Sequence, residues 1–302
     1  MLPILMALLA QTAAPPEPPP APSSDADITV TADRMDAETV ERLTKAYVAS
    51  VLPTPQSGQF FRWHKPVCIK YSGLNPSYEG RVTGRIGAIA AKAGVAMGKP
   101  GCAPNVLIVF TDNAAAMVDL ITRKQPESLR HLSVPERNSL RQDRLPVRWW
   151  YGIDTAQGRA RPKTPSDDKP ADDRTLAGRS SNAGGDSFSQ PSLISSNQTV
   201  FVAGAVVIVD VGLAEGTSLD ALADYVAMVT LVPTRLPPKS PGVPSILALF
   251  NPPEGSPRPD GLSSWDWQLL TGFYTAHANR DAKVQKRQLV KIIKNEKAPD
   301  DK

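Results

Sequence analysis

Residues 218–232 read SLDALADYVAMVTLV. Leu219, Leu222, Ala223, Val226, Ala227, Val229 and Leu231 recur at helical spacing, and the apolar face they form is too wide for a surface helix. Ser218 is a favourable N-cap residue, so the spacing predicts a buried helix that starts there. Immediately upstream, NQTVFVAGAVVIVDVGLAEG carries a long strand pattern from Thr199 to Val211, with Gly204 leaving room for a bulge or bend. This strand leads straight into the buried helix, and the rest of the chain is read outward from that junction.

Two further segments follow. SILALF (245–250) reads as a buried turn, and GLSSWDWQLLTGFY (261–274) as a helix capped by Ser263 or Ser264, with Trp267, Leu270 and Tyr274 on one face. The succession of buried helix, turn and a Leu-Ser-Ser-Trp-Asp helix start resembles the C-terminal half of zincin metallopeptidases. In that family one helix carries H-E-x-x-H, a Met-containing turn follows, and an L-T-x-x-D helix comes next. The ADYVAM and SILALF segments are also similar to those of secreted proteins of sphingomonad-type alphaproteobacteria, a resemblance that implies a compartment but no activity.

On the zincin frame, Ala223 and Ala227 stand where the two zinc-binding imidazoles would be, Asp224 stands at the general base, and Pro233 falls at the third ligand position. Zinc takes three or four N, S or O donors at about 2 Å. Alanine and proline side chains offer none, so no cofactor and no catalytic metal are expected. The implied molecule is a zincin-like scaffold without its ion.

Composition bounds the rest. The chain has 302 residues and 30 prolines, about twice the usual share. Its 34 basic and 30 acidic residues leave a charge of +4, too balanced for a nucleic-acid-binding face. The apolar run from Leu2 to Ala10 is too short to span a bilayer and is followed by small residues, which predicts a signal peptide over 1–14 and a periplasmic or secreted product without stable membrane insertion. Residues 15–30 are Pro- and Ala-rich and read as an extended tether. In an exported protein the two cysteines, Cys68 and Cys102, are read as a disulfide. His64, four residues before Cys68, also suggests a base beside a nucleophile, but on a strand the two would lie about 13 Å apart.

From Asp36 to Val51 the pattern is an amphipathic helix with Val40, Leu43, Tyr47 and Val51 on one stripe. A strand centred on residues 67–71, a helix from Tyr78 to Ala93 and a buried strand within 105–113 then predict a parallel pair joined by a right-handed crossover. Residues 145–154 hold Trp149 and Trp150, which on a strand point to opposite faces; an exposed Trp would mark a binding groove, and core packing on both faces is the alternative. Residues 156–190 have no period and read as a disordered insertion. The basic segment 282–297 is a helix that docks through Leu289, Ile292 and Ile293, leaving 297–302 as a tail.

The expected fold is a single α+β domain over 31–296, a mixed, mostly parallel sheet flanked by helices. Two functions are expected of it. One is a noncatalytic domain that binds an envelope protein or peptide, through a groove near Asp220, Asp224, Tyr225, Trp149 and Trp150. The other is a hydrolase in which Asp224 and Tyr225 act with one of His64, His131 or His277, the Asp220–Asp224 pair at i,i+4 serving as paired carboxylates.

Overall fold

The computed structural model describes residues 35–55, 57–142, 144–157 and 198–297. The expected signal peptide, tether and C-terminal tail beyond Lys297 lie outside these residues, as does the insertion from residue 158 onward.

Asp36 caps α1 (Ala37–Val51) by accepting from Thr39 N, and the helix buries Val40, Tyr47, Val48 and Val51 along one stripe. Strand β1 (Ile69–Ser72) is shorter than its apolar pattern, because Val67 leaves the ladder to bridge Met97 instead. Helix α2 (Pro76–Lys92) starts at the Asn75 cap with Pro76 in its first turn, where a missing N–H costs nothing. Strand β2 (Val106–Thr111) follows and pairs in parallel with β1, as a strand–helix–strand crossover requires.

Helix α3 (Ala114–Lys124), a 3-10 turn (Pro126–Leu129) and α4 (Val134–Ser139) lead to strand β3 (Val147–Gln157). Strand β4 (Gln198–Asp210) then runs parallel to β2 and antiparallel to β3, giving one four-stranded sheet in the order β1-β2-β4-β3. The fold is therefore α+β, with a mixed, mostly parallel sheet flanked by helices. Gly152 pairs with Gly204 while Ile153 pairs with Val202, so Ala203 is the extra residue of a bulge beside Gly204. Ala156 and Gln157, the first two residues of the expected insertion, pair with Thr199 and Gln198 and so belong to β3.

Ser218 caps α5 (Leu219–Leu231), in which every residue from Ala221 to Leu231 is buried. A second 3-10 turn (Ile246–Ala248) is buried too, and Ser263 opens α6 (Ser264–Thr275) with a capping box to Asp266. Helix α6 buries Trp265, Leu269, Leu270 and Phe273, so its inner face includes Trp265 and Phe273 while Trp267 and Tyr274 are only partly covered. Helix α7 (Ala282–Lys297) docks through Leu289 and Ile293. One apolar cluster links Tyr47, Ile86, Val207, Val226, Leu270 and Leu289 across these elements.

Candidate functional site

The positions singled out on the zincin frame lie inside the core. Ala223, Ala227 and Pro233 are all buried, and α5 presents no open face around them. Asp224 is also covered, with 4% of its side chain exposed, and α2 supplies its partner. Arg85 binds both carboxylate oxygens of Asp224, through Nε to Oδ1 and through Nη2 to Oδ2 at 2.8 Å. The N–H of Leu262 adds a third donor at 2.9 Å. One turn earlier, Arg81 holds Asp220 in the same forked manner, with both contacts at 2.8 Å.

Each carboxylate expected to form an acid–base pair is thus held by its own guanidinium. Hydrogen bonds from Arg81 keep the Asp220 carboxyl below its ordinary value, the opposite of what a proton donor near neutral pH needs. The two ion pairs follow in the same order along both helices, so α2 and α5 lie side by side and run in the same direction.

Three of the expected groove residues, Trp149, Trp150 and Tyr225, are buried. Trp149 and Trp150 are each 1% exposed, since β3 carries cover on both faces, and core packing is the reading that holds. Trp149 donates to Thr234 O, and its ring meets Tyr225 edge-on at 6.1 Å. Tyr225, also 1% exposed, packs against Phe250 at 5.1 Å, and burial raises its hydroxyl pKa. Tyr151 OH bonds to Val229 O and Val232 O, fixing the C-terminal end of α5 to the sheet.

The three histidines are dispersed. His64 lies against the Phe201 ring at 4.0 Å, His131 accepts from Arg130 Nε, and the backbone N–H of His277 donates to Gln288. Among the described residues none of them is hydrogen-bonded to Asp220 or Asp224.

Cys68 and Cys102 form the expected disulfide, with Cα atoms 6.1 Å apart, which excludes Cys68 as a nucleophile.

Three buried polar centres were not foreseen. Asp266 accepts from Tyr47 OH, Ser245 Oγ, Ile246 N, Ser263 N and Ser263 Oγ at 2.5 to 2.9 Å, joining α1, the second 3-10 turn and α6. Burial raises its carboxyl pKa, and these donors oppose the rise. Arg148 donates to the carbonyls of Leu140, Gln142 and Leu145, closing the loop after α4 onto β3. Arg62 donates to Phe273 O and Gln285 Oε1 and lies over the Phe273 ring at 4.5 Å; burial lowers its pKa to about 10. Only the S-x-x-D spacing at Ser263 pointed to any of these in the sequence.

A groove of about 850 Å³ lies between α1 and α7. Glu41 contacts Lys294, and Leu52 O accepts from Lys286, so the two helices are antiparallel. Val48, Ala49, Ala282 and Val290 contribute apolar surface, and Lys45, Lys283, Lys286, Arg287, Lys291 and Lys294 supply the charge. The single carboxylate in the lining is Glu41, held down to about pKa 2 by hydrogen bonds from Lys294 and then Lys45.

No family model, curated protein or solved structure matches this chain.

Among the described residues no three His, Cys, Asp or Glu side chains gather as a metal ion would require, and no helix is long and apolar enough to cross a membrane. Among the described residues the groove between α1 and α7 combines an accessible volume with a strongly basic lining.

Proposed function

We propose that the chain is a noncatalytic binding domain of the cell envelope, periplasmic or secreted, built on a zincin-like scaffold that has lost its metal site. The observation that carries this reading is the fate of Asp224. In the zincin frame it stands at the general-base position, and here it is covered and gripped by Arg85 and Leu262 N. Its neighbours Ala223 and Ala227 present methyl groups to the core.

The order of parts supports the scaffold assignment, since a buried helix, a buried turn and a capped helix follow one another as in the family. The Cys68–Cys102 bond supports an oxidising compartment, where such bridges persist. Binding without turnover also agrees with an exposed basic groove remote in sequence from α5.

Elemental analysis of the purified protein, combined with a peptidase screen on unstructured protein substrates, tests this reading. We expect less than about 0.1 zinc per chain after dialysis and no cleavage above a buffer blank. Stoichiometric zinc whose removal abolishes peptidase activity overturns the proposal. Fractionation of the native host tests the compartment, with the mature chain expected in the periplasm or medium and a cytosolic pool overturning that part.

A further inference from the structure

The basic groove narrows the binding reading above to one class of partner. Its α7 wall runs from Ala282 to Asn295, about 20 Å at ~1.5 Å per residue, or more than three helical turns. Along it Lys283, Arg287 and Lys291 recur every four residues, a spacing of about 6 Å. All three are exposed, and among the described residues no carboxylate pairs with their side chains. Lys45 and Lys294 share Glu41, and Lys286 is tied to Leu52 O, so these three cations also help to hold the groove in shape.

We propose that this groove binds an acidic amphipathic helix from a partner protein. Such a helix would lay its small apolar face on the exposed Ala49 and half-buried Val290 and set carboxylates at i and i+4 against the α7 cations. The match is one of period, because both helices repeat their charges at the same ~6 Å pitch. The chain already contains this arrangement internally: Arg81 and Arg85 on α2 meet Asp220 and Asp224 on α5 in the same i,i+4 register.

A bilayer is a poorer fit. An interfacial helix must present its apolar residues outermost. Here Val48 is buried and Val290 half-buried between two helices, so a flat surface would meet the ammonium groups and not the apolar floor. A nucleic acid strand would use the cations but leave the apolar floor unused.

The test is fluorescence anisotropy of the full mature chain with a labelled 18-residue peptide carrying Glu at i,i+4 and Leu or Ala on the adjoining face. Saturable binding is expected, weakening at least tenfold for the triple variant Lys283→Glu/Arg287→Glu/Lys291→Glu. The variant Ala49→Arg separates shape from charge: it adds a cation yet fills the floor, so it is expected to weaken binding at least fivefold. A scrambled peptide of equal charge is expected to bind at least tenfold less well.

The inference is overturned if the ordered peptide does not bind. It is equally overturned if Ala49→Arg tightens binding, or if phosphatidylglycerol vesicles or a single-stranded oligonucleotide compete better than the scrambled peptide. Circular dichroism of each variant checks that the fold is intact. Mass spectrometry of the peptide after titration separates the two proposals: cleaved peptide sinks the noncatalytic reading, whereas intact, unbound peptide sinks only the partner assignment.

Discussion

Arg85 on α2 and Asp224 on α5 form a two-pronged ion pair in which the carboxylate is almost fully covered while the guanidinium keeps 37% of its side chain in solvent. Removing the arginine strands a buried charge that has only Leu262 N left as a donor. We expect Arg85→Met to destabilise the protein by roughly 2–4 kcal/mol in urea denaturation, less than for a fully buried pair because water can partly replace the cation. Arg85→Met/Asp224→Met is expected to be more stable than the single Arg85 variant, because the uncompensated charge is gone. The neighbouring Arg81→Met should have a much smaller effect that disappears in about 0.5 M salt, as screening removes exposed pairs. If Arg81→Met costs as much as Arg85→Met, burial is not what sets the strength of these pairs.

The i,i+4 pairing also shows where the sequence could and could not be read. The i,i+4 spacing of Asp220 and Asp224 is local and points to paired carboxylates. Their partners lie 139 residues upstream, on a helix whose own i,i+4 arginines look like an ordinary solvated face. Local periodicity identified α1, α2, α5 and α7 and the Gly204 bulge, because each depends on near neighbours. The roles of Arg62, Arg148 and most of the Asp266 network are not legible in the sequence: Arg62 meets a carbonyl and an amide more than 200 residues away, Arg148 meets loop carbonyls that carry no side-chain signature, and apart from Ser263 the donors to Asp266 come from other segments. Trp149 and Trp150 were ambiguous for a related reason: alternation assigns faces, and only the packing of other elements decides which faces meet water.

Closing the 34-residue loop between Cys68 and Cys102 is expected to contribute about 3–4 kcal/mol on the chain-entropy model. Gly98 makes room for the bridge. A methyl group there would sit 2.5 Å from Cys102 Sγ and 3.3 Å from Cys68 Cβ. Gly98→Ala is therefore expected to cost roughly 1–3 kcal/mol in the oxidised protein by overpacking. In a background with both cysteines changed to alanine the same substitution should cost measurably less, because the Sγ contact is gone while the Cβ contacts at positions 102 and 68 remain. Equal penalties in the two backgrounds, measured by urea denaturation, would remove the steric argument.

Asp266 distinguishes loss of a carboxylate from loss of its charge. Its Oδ1 accepts from two hydroxyls, Tyr47 and Ser245, whereas Oδ2 accepts from the backbone N–H groups of Ile246 and Ser263. Hydroxyls can turn and become acceptors; backbone N–H groups cannot. Asn at this site can keep its oxygen toward the amides and point its NH₂ at the hydroxyls, so Asp266→Asn is expected to cost about 1–2 kcal/mol. Asp266→Ala leaves the Tyr47 and Ser245 hydroxyls and the Ile246 and Ser263 N–H groups without this acceptor and is expected to cost more than about 4 kcal/mol. A larger loss for Asn than for Ala would show that the charge, not the hydrogen bonding, holds α1, the second 3-10 turn and α6 together.

Alkaline pH should expose the same dependence on burial. Tyr47, Tyr151, Tyr225 and Tyr274 all have their hydroxyl pKa raised, with burial the largest cause in each. A tyrosine whose folded pKa lies above its unfolded value of about 10 favours the folded state at full strength below pH 10. Above that, the unfolded chain gains by ionising and the folded one does not, so stability falls as pH rises. Arg62 acts in the opposite sense: burial lowers it to about 10, so between about pH 10 and 12.5 the folded state sheds a proton it held at a cost, and stability gains. Four tyrosines against one arginine leave the loss dominant. Spectrophotometric titration should therefore show these four phenols ionising late and in step with loss of the helical circular dichroism signal. If all six tyrosines of the chain ionise near pH 10 with the fold intact, the aromatic interior around α5 is open to water and its packing differs from that described.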